Sequence, residues 1–454
     1  MTTATDLHQL SAAQAAARIA RKEFSPVELV EALITRIGAL DPRLKAWATV
    51  TGDIARAQAK QAEAEILKTG PRSPIHGIPY GLKDIIDTAG VLTEAGSKVY
   101  AGRVPDTDSH VNALLSAAGG ILLGKTVTTE FADGHPPATV NPWNAEHTPA
   151  GSSSGSGVAV ASRMVPAALG TQTVGSVLRP AAYNGVVGFK PTFGRISCAG
   201  VVPMSWSCDH VGILVRTVED AALFLGVLAG SDSDDPNSAD RPVPDYLAVL
   251  GQSAAAPRIG FVRTYFLDEA EDETRADVER VAQQLATAGA NVAAADPGID
   301  FVKGYLAHRV IQQSEMAVFH EPMYRGHEDD YLPITREYID AGFGHSATDF
   351  VRANRIRHDM RERALAALAH VDVLMMPTAS GPSPRDLSRT GDTRYQSPWS
   401  FTGLPSITLP TGLSSKGLPM AVQLVGRPFE EESLLAAAQW VERTLGVELS
   451  PPVG

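Results

Sequence analysis

Apolar residues recur at the spacing of a helix in the first seventy residues of the chain. Ser25 and Glu28 form the hydroxyl and carboxylate pair of a capping box, which predicts a helix over residues 26–40. The apolar face of this helix consists of Leu29, Leu33, Ile34 and Ile37. A similar pair opens an alanine-rich helix after Ser11, and residues 52–68 are predicted as a third helix.

Beyond residue 70, short apolar runs alternate with helical patterns, as in an α/β sheet covered by helices. The predicted strands are 121–123, 258–262, 291–295, 371–377, 406–409 and 420–425. The predicted helices are 111–118, 158–168, 274–288 and 431–445. An acidic stretch rich in turn-forming residues, 230–240, indicates a loop or a subdomain boundary.

Residues 298–350 interrupt this alternation with aromatic side chains set among charged ones. The aromatic residues there are Phe301, Tyr305, Phe319, Tyr324, Tyr331, Tyr338, Phe343 and Phe350. Two compatible interpretations stay open, a helical insertion with its own small core and a lid over a substrate pocket. We predict an apolar pocket roofed by part of this segment.

Composition narrows the class of protein. The 454 residues are 44% hydrophobic, so the chain can bury a large core, and the net charge of −12 argues against general binding of nucleic acid. Two cysteines exclude a disulfide framework, and no histidine spacing typical of a metal site occurs. Without a secretory leader or an apolar run of 18 residues, we expect a cytoplasmic enzyme that does not bind membranes.

Two short motif matches do not fit their surroundings. Residues 119–126 match a phosphate-binding loop, but they contain an apolar run that predicts a buried strand. Residues 151–155 match a nucleophile elbow, but the turn-rich segment 141–149 precedes them where that motif requires a strand. We therefore expect neither phosphate binding nor an elbow serine.

Three other segments carry the candidate chemistry. Residues 148–157 place four serines and three glycines directly before an apolar helix, which is unlike a linker between domains. A second loop of small residues spans 170–180. Lys83 lies in an otherwise apolar patch, where in isolation it could equally be an ordinary lysine paired with Asp84 or Asp87.

Together these segments resemble the amidase signature family. The resemblance covers roughly residues 25–225 and 370–445, whereas 230–365 is not diagnostic. The segments that resemble family motifs are 81–84, 124–126, 130–131, 141–143, 149–157, 170–180, 185–194, 403–410 and 417–426. Several motifs in a fixed order are far more specific than any single loop.

The resemblance implies a catalytic triad of Ser176 as nucleophile, Ser152 as a bridging serine with a cis peptide bond, and Lys83 as base. A serine hydroxyl needs a neighbouring base, and lysine is a base only when it is neutral. A hydroxyl between them both donates and accepts, so it can relay a proton. The oxyanion hole would consist of the backbone N–H groups of Thr173, Val174, Gly175 and Ser176. The mechanism assigns no role to His147 or His210.

The sequence also departs from the family pattern around the triad. The family usually has Asp-Thr-Gly-Gly-Ser-Ile-Arg, whereas here Gln172 replaces the aspartate, Val174 replaces a glycine, and the arginine is displaced to Arg179. We expect Val174 to narrow the space at the oxyanion hole and Gln172 to remove a charge that orients the loop. Ala150 and Ser154 replace two glycines of the serine-rich loop.

The resemblance implies one large α/β domain with a central mixed sheet covered by helices on both faces. We expect an N-terminal helical region at 1–70 packed on the core, and a core with the triad at 71–229. The less diagnostic insertion, a possible substrate lid, would span 230–365, and residues 366–454 would complete the same core.

The implied function is a serine hydrolase that cleaves the C–N bond of a small or medium linear carboxamide, without a metal or organic cofactor. Aliphatic amides, aryl acylamides, peptide amides, carbamates and esters stay open as substrates. The alternative is the catalytic subunit of a glutamine-dependent tRNA amidotransferase, which the acidic chain disfavours. A non-catalytic binding protein is disfavoured because all three triad positions are filled. A homodimer is left open.

Overall fold

A single mixed β-sheet organises the molecule. The computed structural model describes residues 4–251 and 255–453, and these residues form one eleven-stranded sheet flanked by helices. The strands are β1 (Trp47–Val50), β2 (Pro79–Lys83), β3 (Ile121–Thr126), β4 (Ala167–Gln172), β5 (Val187–Lys190), β6 (His210–Val215), β7 (Arg258–Val262), β8 (Asn291–Ala295), β9 (Val373–Pro377), β10 (Ser406–Leu413) and β11 (Pro419–Val425). Their order in the sheet is β1-β3-β2-β4-β6-β5-β10-β11-β9-β7-β8. The predicted α/β fold with a mixed central sheet is confirmed.

Fourteen α-helices lie among the described residues. They are α1 (Ala12–Ala20), α2 (Pro26–Leu44), α3 (Gly52–Thr69), α4 (His110–Ala117), α5 (Ser154–Ala161), α6 (Leu178–Asn184), α7 (Val218–Leu228), α8 (Tyr246–Leu250), α9 (Asp272–Thr287), α10 (Phe301–Tyr324), α11 (Pro333–Gly344), α12 (Ala347–Leu368), α13 (Ser397–Phe401) and α14 (Glu431–Leu445). Both predicted capping boxes are present, at Ser11 and at Ser25. No helix in this part of the chain is long and apolar enough to cross a membrane.

One predicted helix is wrong at its C-terminal end. Residues 158–168 were expected to be helical, but α5 stops at Ala161, and Ala167 already belongs to β4. Helix α5 and strand β4 are buried along their whole length, so apolar residues occur on every side and hide the change of period. The break falls at Arg163, whose φ of 57° ends the helix.

Two parallel pairings bring the candidate chemistry to one edge of the sheet. Strand β2 runs parallel to both β3 and β4, so their carboxyl ends lie at the same edge. Lys83 is the last residue of β2, and the loop with Ser176 follows β4. Open α/β sheets bind ligands at the carboxyl ends of their strands, so a functional site is expected at this edge.

The four expected segments of the chain contribute to one sheet. Strand β1 comes from the first segment, β7 and β8 come from the insertion, and β9 to β11 come from the last. The division at residues 70, 229 and 365 stays a prediction. A buried carboxylate, that of Glu130, accepts hydrogen bonds from Ser97 Oγ at 2.8 Å and from the amide of Leu332 at 2.7 Å. These contacts attach the start of α11 to the core.

The tight packing of α5 leads to a testable prediction on stability. A Cβ at Gly155 would overlap the carbonyl oxygen of Ala46 and the amide nitrogen of Val127, which are both backbone atoms. We expect Gly155→Ala to lower the free energy of unfolding by about 1–3 kcal/mol, as overpacking does. Gly38, inside α2, has no atom within 4 Å of the position that a Cβ would occupy, so Gly38→Ala should instead raise stability by about 0.5–1 kcal/mol. Urea unfolding of both variants checks the pair, and equal effects would contradict the prediction.

Candidate active site

Lys83 is completely buried and contacts two hydroxyl groups. Its Nζ donates to Ser152 Oγ at 2.6 Å and to Thr171 Oγ1 at 2.8 Å. Burial lowers the pKa of Lys83 to about 7, while the negative charge of Asp209 acts in the opposite direction. An amine with this pKa is neutral in an appreciable fraction of molecules at neutral pH, as a general base must be.

Lys83 does not pair with the two neighbouring aspartates. The closest cation to Asp84 is Lys125, whose Nζ lies 3.7 Å from Asp84 Oδ1, and Asp87 pairs with Arg103 at 2.7 Å. The interpretation of Lys83 as an ordinary paired lysine is therefore wrong. Lys125 is itself buried in β3, which also agrees with the rejection of a phosphate-binding loop over residues 119–126.

Ser152 follows the predicted cis peptide bond, which the structure has between Gly151 and Ser152. Ala150 has a φ of 65°, in the left-handed region that favours glycine. The carbonyl oxygen of Ala150 accepts a hydrogen bond from Ser154 Oγ at 2.7 Å. The two residues that replace family glycines thus contact each other, and Ser154 stabilises the turn that Ala150 must adopt.

The remaining hydroxyls of the serine-rich loop have structural partners. Ser153 Oγ donates to the carbonyl of Thr171 at 3.3 Å, and Ser156 Oγ donates to the carbonyl of Leu169 at 3.1 Å. Both contacts join the start of α5 to β4. No strand leads into this loop from residues 141–149, which agrees with the rejection of a nucleophile elbow.

Ser176 lies on the wall of a cavity of about 480 Å³. Lys83 and Ser152 are buried behind this wall, with 0% and 1% of their surface exposed. Within the described residues, the Ser176 hydroxyl makes no hydrogen bond to Ser152, although such bonds between catalytic groups are often long before substrate binds. The structure therefore brings Lys83 and Ser152 into contact and leaves Ser176 facing the cavity.

Gln172 is a neutral residue that contacts the loop of Ser176 through hydrogen bonds. Its Oε1 accepts hydrogen bonds from the amides of Val177 and Leu178, each at 2.9 Å, and its Nε2 donates to Ser400 Oγ at 2.9 Å. Ser400 Oγ in turn donates to the carbonyl of Val174 at 2.8 Å. The neutral residue thus contacts the loop through hydrogen bonds alone, without the charge that the family's aspartate would carry.

Two further contacts shape the candidate oxyanion loop. Thr173 Oγ1 donates to Asp209 Oδ1 at 2.5 Å, and Asp209 Oδ2 accepts from the amides of Met204 and Ser205 at 2.8 and 2.9 Å. Gly175 approaches Gln396 so closely that a Cβ there would lie 2.5 Å from its Oε1. Contacts with other parts of the chain therefore hold this loop at Thr173 and at Gly175.

Apolar atoms form the larger part of the cavity surface, in agreement with the predicted apolar pocket, although many of the lining residues also carry polar or charged groups. Its lining residues are Ala132, Asp133, Gly134, Thr173, Val174, Ser176, Arg179, Met204, Tyr305, His308, Arg309, Gln312, Tyr338, Thr390, Thr393 and Ser397. Among these only Ala132, Val174 and Met204 contribute aliphatic or thioether side chains. Val174 faces the cavity, as expected for a residue that narrows it. An outer vestibule of about 1290 Å³ shares six of the lining residues, including Tyr305 and Arg309.

The insertion contributes residues to the cavity wall, but few of its aromatic residues are among them. Tyr305 and Tyr338 line the cavity. Phe301 packs against the rings of Tyr265 and Trp399, in a second core. The rings of Tyr324 and Tyr331 contact each other with centroids 5.1 Å apart. The aromatic residues of 298–350 therefore indicated a small core correctly. They contribute less to the cavity wall than their number suggested.

Sequence reasoning missed four residues of the site. Thr171 contacts the lysine, Asp209 holds Thr173, and Asp133 and Arg179 line the cavity. Of these, the sequence marks only Arg179, as a displaced arginine without a role. No local signal marks Thr171 or Asp209, and the only signal for Asp133 is its position shortly after the segment 130–131 that resembles a family motif. His147 and His210 do not line the cavity, in agreement with their having no assigned role.

The comparisons with known proteins agree with this geometry. Residues 28–435 match the Amidase family. A glutamyl-tRNA(Gln) amidotransferase subunit of Roseiflexus castenholzii is 36% identical, over 97% of this chain and 96% of the relative. The chain therefore belongs to the amidase signature family.

Solved structures of similar proteins have the same fold over nearly the whole chain. The native peptide amidase from Stenotrophomonas maltophilia matches with a TM-score of 0.85 and 31% identity, over 98% of this chain and 99% of that one. A second match is a chain from a vestigial protein complex that reveals the evolutionary origins of an s-triazine catabolic enzyme. Its TM-score is 0.90 and its identity is 31%, over 96% of this chain and 99% of that one.

The contacts of Asp209 predict a separable effect on rate and on pH dependence. Asp209→Asn removes the negative charge that favours the Lys83 ammonium, so the pKa of Lys83 should fall below about 7. The rising limb of kcat/KM should then move to lower pH, while the plateau falls roughly 10-fold or more with the loss of a charged hydrogen bond to Thr173.

Thr173→Val is the matched control, because it removes the same hydrogen bond and keeps the charge. Its plateau should fall without a shift of the rising limb. Burial also raises the pKa values of Asp209 and Asp133, to about 6 and about 7. Because these groups titrate in the same pH range as Lys83, the result depends on the comparison between the two variants and not on a single pH profile. Identical limbs in both variants would contradict an electrostatic effect of Asp209 on Lys83.

Proposed function

We propose that this chain is an amidohydrolase that cleaves the C–N bond of small or medium carboxamides through an acyl-enzyme on Ser176. The observation that carries the proposal is the buried Lys83 amine at 2.6 Å from Ser152 Oγ, with its pKa lowered to about 7. A buried lysine with only hydroxyl partners has no structural ion pair to explain it. Its position behind the cavity wall fits a base that acts through an intermediate group.

In the proposed first step, neutral Lys83 takes a proton from Ser152 as Ser152 takes the proton of Ser176. Ser176 Oγ then attacks the substrate carbonyl carbon and forms a tetrahedral intermediate. Thr171 Oγ1, which accepts the other hydrogen bond from Lys83, keeps the amine aimed along this path. Without Ser152, the buried amine would have no route to the nucleophile.

Collapse of the intermediate expels the amine, which takes a proton from Lys83 through Ser152. The backbone N–H groups of Thr173, Val174, Gly175 and Ser176 would stabilise the oxyanion, and one such donor is typically worth about 2.7–4 kcal/mol. A water molecule then attacks the acyl-enzyme, with Lys83 again as the base. Carbamates and aryl acylamides contain the same carbonyl–nitrogen unit and are further candidate substrates.

A second candidate function is that of an amidotransferase subunit, which the 36% identity to a glutamyl-tRNA(Gln) amidotransferase subunit favours. It predicts that the purified chain is nearly silent with amides on its own. Ammonia release from a panel of amides and glutamine, measured without any other protein, separates the two functions. Strong turnover of a simple amide supports the hydrolase, and its absence supports the amidotransferase role.

The triad assignment predicts how covalent labelling responds to mutation. Ser176→Ala should abolish amide turnover and the mass shift produced by a fluorophosphonate, because no other hydroxyl of the triad faces the cavity. Ser153→Ala is the control, since Ser153 contacts only the backbone of β4. Labelling that survives in the alanine variant of Ser176 would remove this serine as nucleophile.

The role of Lys83 predicts a difference between amides and esters. Lys83→Ala should lower kcat/KM for an amide by several orders of magnitude, because the leaving amine needs a proton. A matched ester should lose less, since its leaving group is better. In the wild type, the rate should rise with pH through about 7, where Lys83 becomes neutral. Near-normal amide turnover in the variant would leave Ser176 without its base.

A further inference from the structure

The cavity that Ser176 lines also contains a carboxyl group that lacks a partner. Asp133 is 5% exposed, lines the cavity, and has an Oδ2 atom without a hydrogen bond from any described residue. It belongs to no ion pair among the described residues. Because an unpaired buried acceptor is costly, this oxygen calls for a donor that the described protein atoms do not supply.

The backbone that carries Asp133 is held in an unfavourable conformation. Phe131 and Ala132, the two residues before it, have φ angles of 45° and 63°. Such conformations are costly for residues other than glycine, and they cluster at sites where a binding or catalytic group is aimed. The neighbouring Glu130 is fixed by Ser97 and Leu332, so the turn has a rigid base.

Donors without partners line the same cavity. Arg179 is buried, and its Nη2 donates to the carbonyl of Gly151 at 2.7 Å and to Thr390 Oγ1 at 3.1 Å. Its Nε and Nη1 have no partner among the described residues. Arg309, whose guanidinium lies 4.9 Å from the ring centroid of Tyr338, is a second cation on this wall.

These charges restrict the chemistry of the group that Asp133 would bind. Two guanidinium groups line the cavity and disfavour a cation there. The pKa of Asp133 is raised to about 7, chiefly by burial and also by Glu130 and Glu337, against the lowering effects of the Gly134 amide and the charge of Arg309. A neutral N–H donor stabilises the carboxylate without adding positive charge, and an adjacent carbonyl can accept from the arginine side.

We propose that Asp133 is a specificity-determining residue, which accepts a hydrogen bond from an N–H group in the acyl part of the substrate. The substrate class is then a carboxamide that carries a second carbonyl–nitrogen unit, as in a peptide-like amide or a diamide. This inference rests on the proposed amidohydrolase function and narrows it, since simple aliphatic and aryl acyl groups offer no such donor.

The test compares two amides that differ only in this donor. N-acetylglycinamide has the second N–H, and 4-oxopentanamide has a methylene in its place with the carbonyl kept. We expect the purified wild-type chain to release ammonia from the first with a kcat/KM roughly 10-fold or more above the second, as expected when a buried acceptor is left unpaired. Asp133→Leu should abolish this preference, and Asp133→Asn, which keeps an acceptor oxygen, should retain part of it.

Asp386→Asn, which neutralises an acid of the outer vestibule, is the matched control and should leave the preference unchanged. Protection of Ser176 from a fluorophosphonate by each amide gives the same comparison without turnover. The proposal would be overturned if the wild type had equal kcat/KM values for the two amides, or if Asp133→Leu kept the wild-type preference. It would also be overturned if neither amide protected Ser176, or if the wild type preferred the cationic 4-aminobutanamide to N-acetylglycinamide. If a fluorophosphonate still labels Ser176 in any of these cases, the proposal for Asp133 fails while the proposed amidohydrolase function stands.

Discussion

The burial of one amine at the end of β2 is the constraint on which the site depends. An ammonium group loses its hydration at this position, so the neutral form of Lys83 is favoured, and its pKa falls to about 7. The hydroxyls of Ser152 and Thr171 satisfy the amine without supplying a countercharge. An ion pair in their place would stabilise the charged form and raise the pKa of the amine. The parallel pairing of β2 with β4 is what brings these groups together.

Hydrogen bonds, more than charges, position the loop in front of this amine. Gln172 binds two amides of the loop and connects through Ser400 to the carbonyl of Val174. The carboxylate of Asp209, which contacts the loop through Thr173, also opposes the lowering of the Lys83 pKa. Loop geometry and the basicity of the lysine are therefore coupled through a single carboxylate.

The segment between the two motif-bearing parts of the sequence serves both packing and recognition. Helix α10 places Tyr305 and Arg309 on the cavity wall, while Phe301 at its start packs into a separate core. Because the helix faces a core at one position and the cavity at another, aromatic content alone does not reveal which residues contact substrate. The wall that results, with Asp133 and Ser176 on one cavity, is a property of the folded chain.

The alternation of helices and strands and the capping of α2 were predictable from the sequence, because periodicity and caps are local. The family resemblance also singled out Lys83 and Ser152, which the structure brings into contact. The end of α5 was not predictable, since a helix and a strand buried on every side have the same apolar pattern. The partners of the amine, the charged groups on the cavity wall and the unpaired oxygen of Asp133 were not predictable either. They depend on contacts between residues far apart in the chain, such as Lys83 with Thr171, and only tertiary packing decides those contacts.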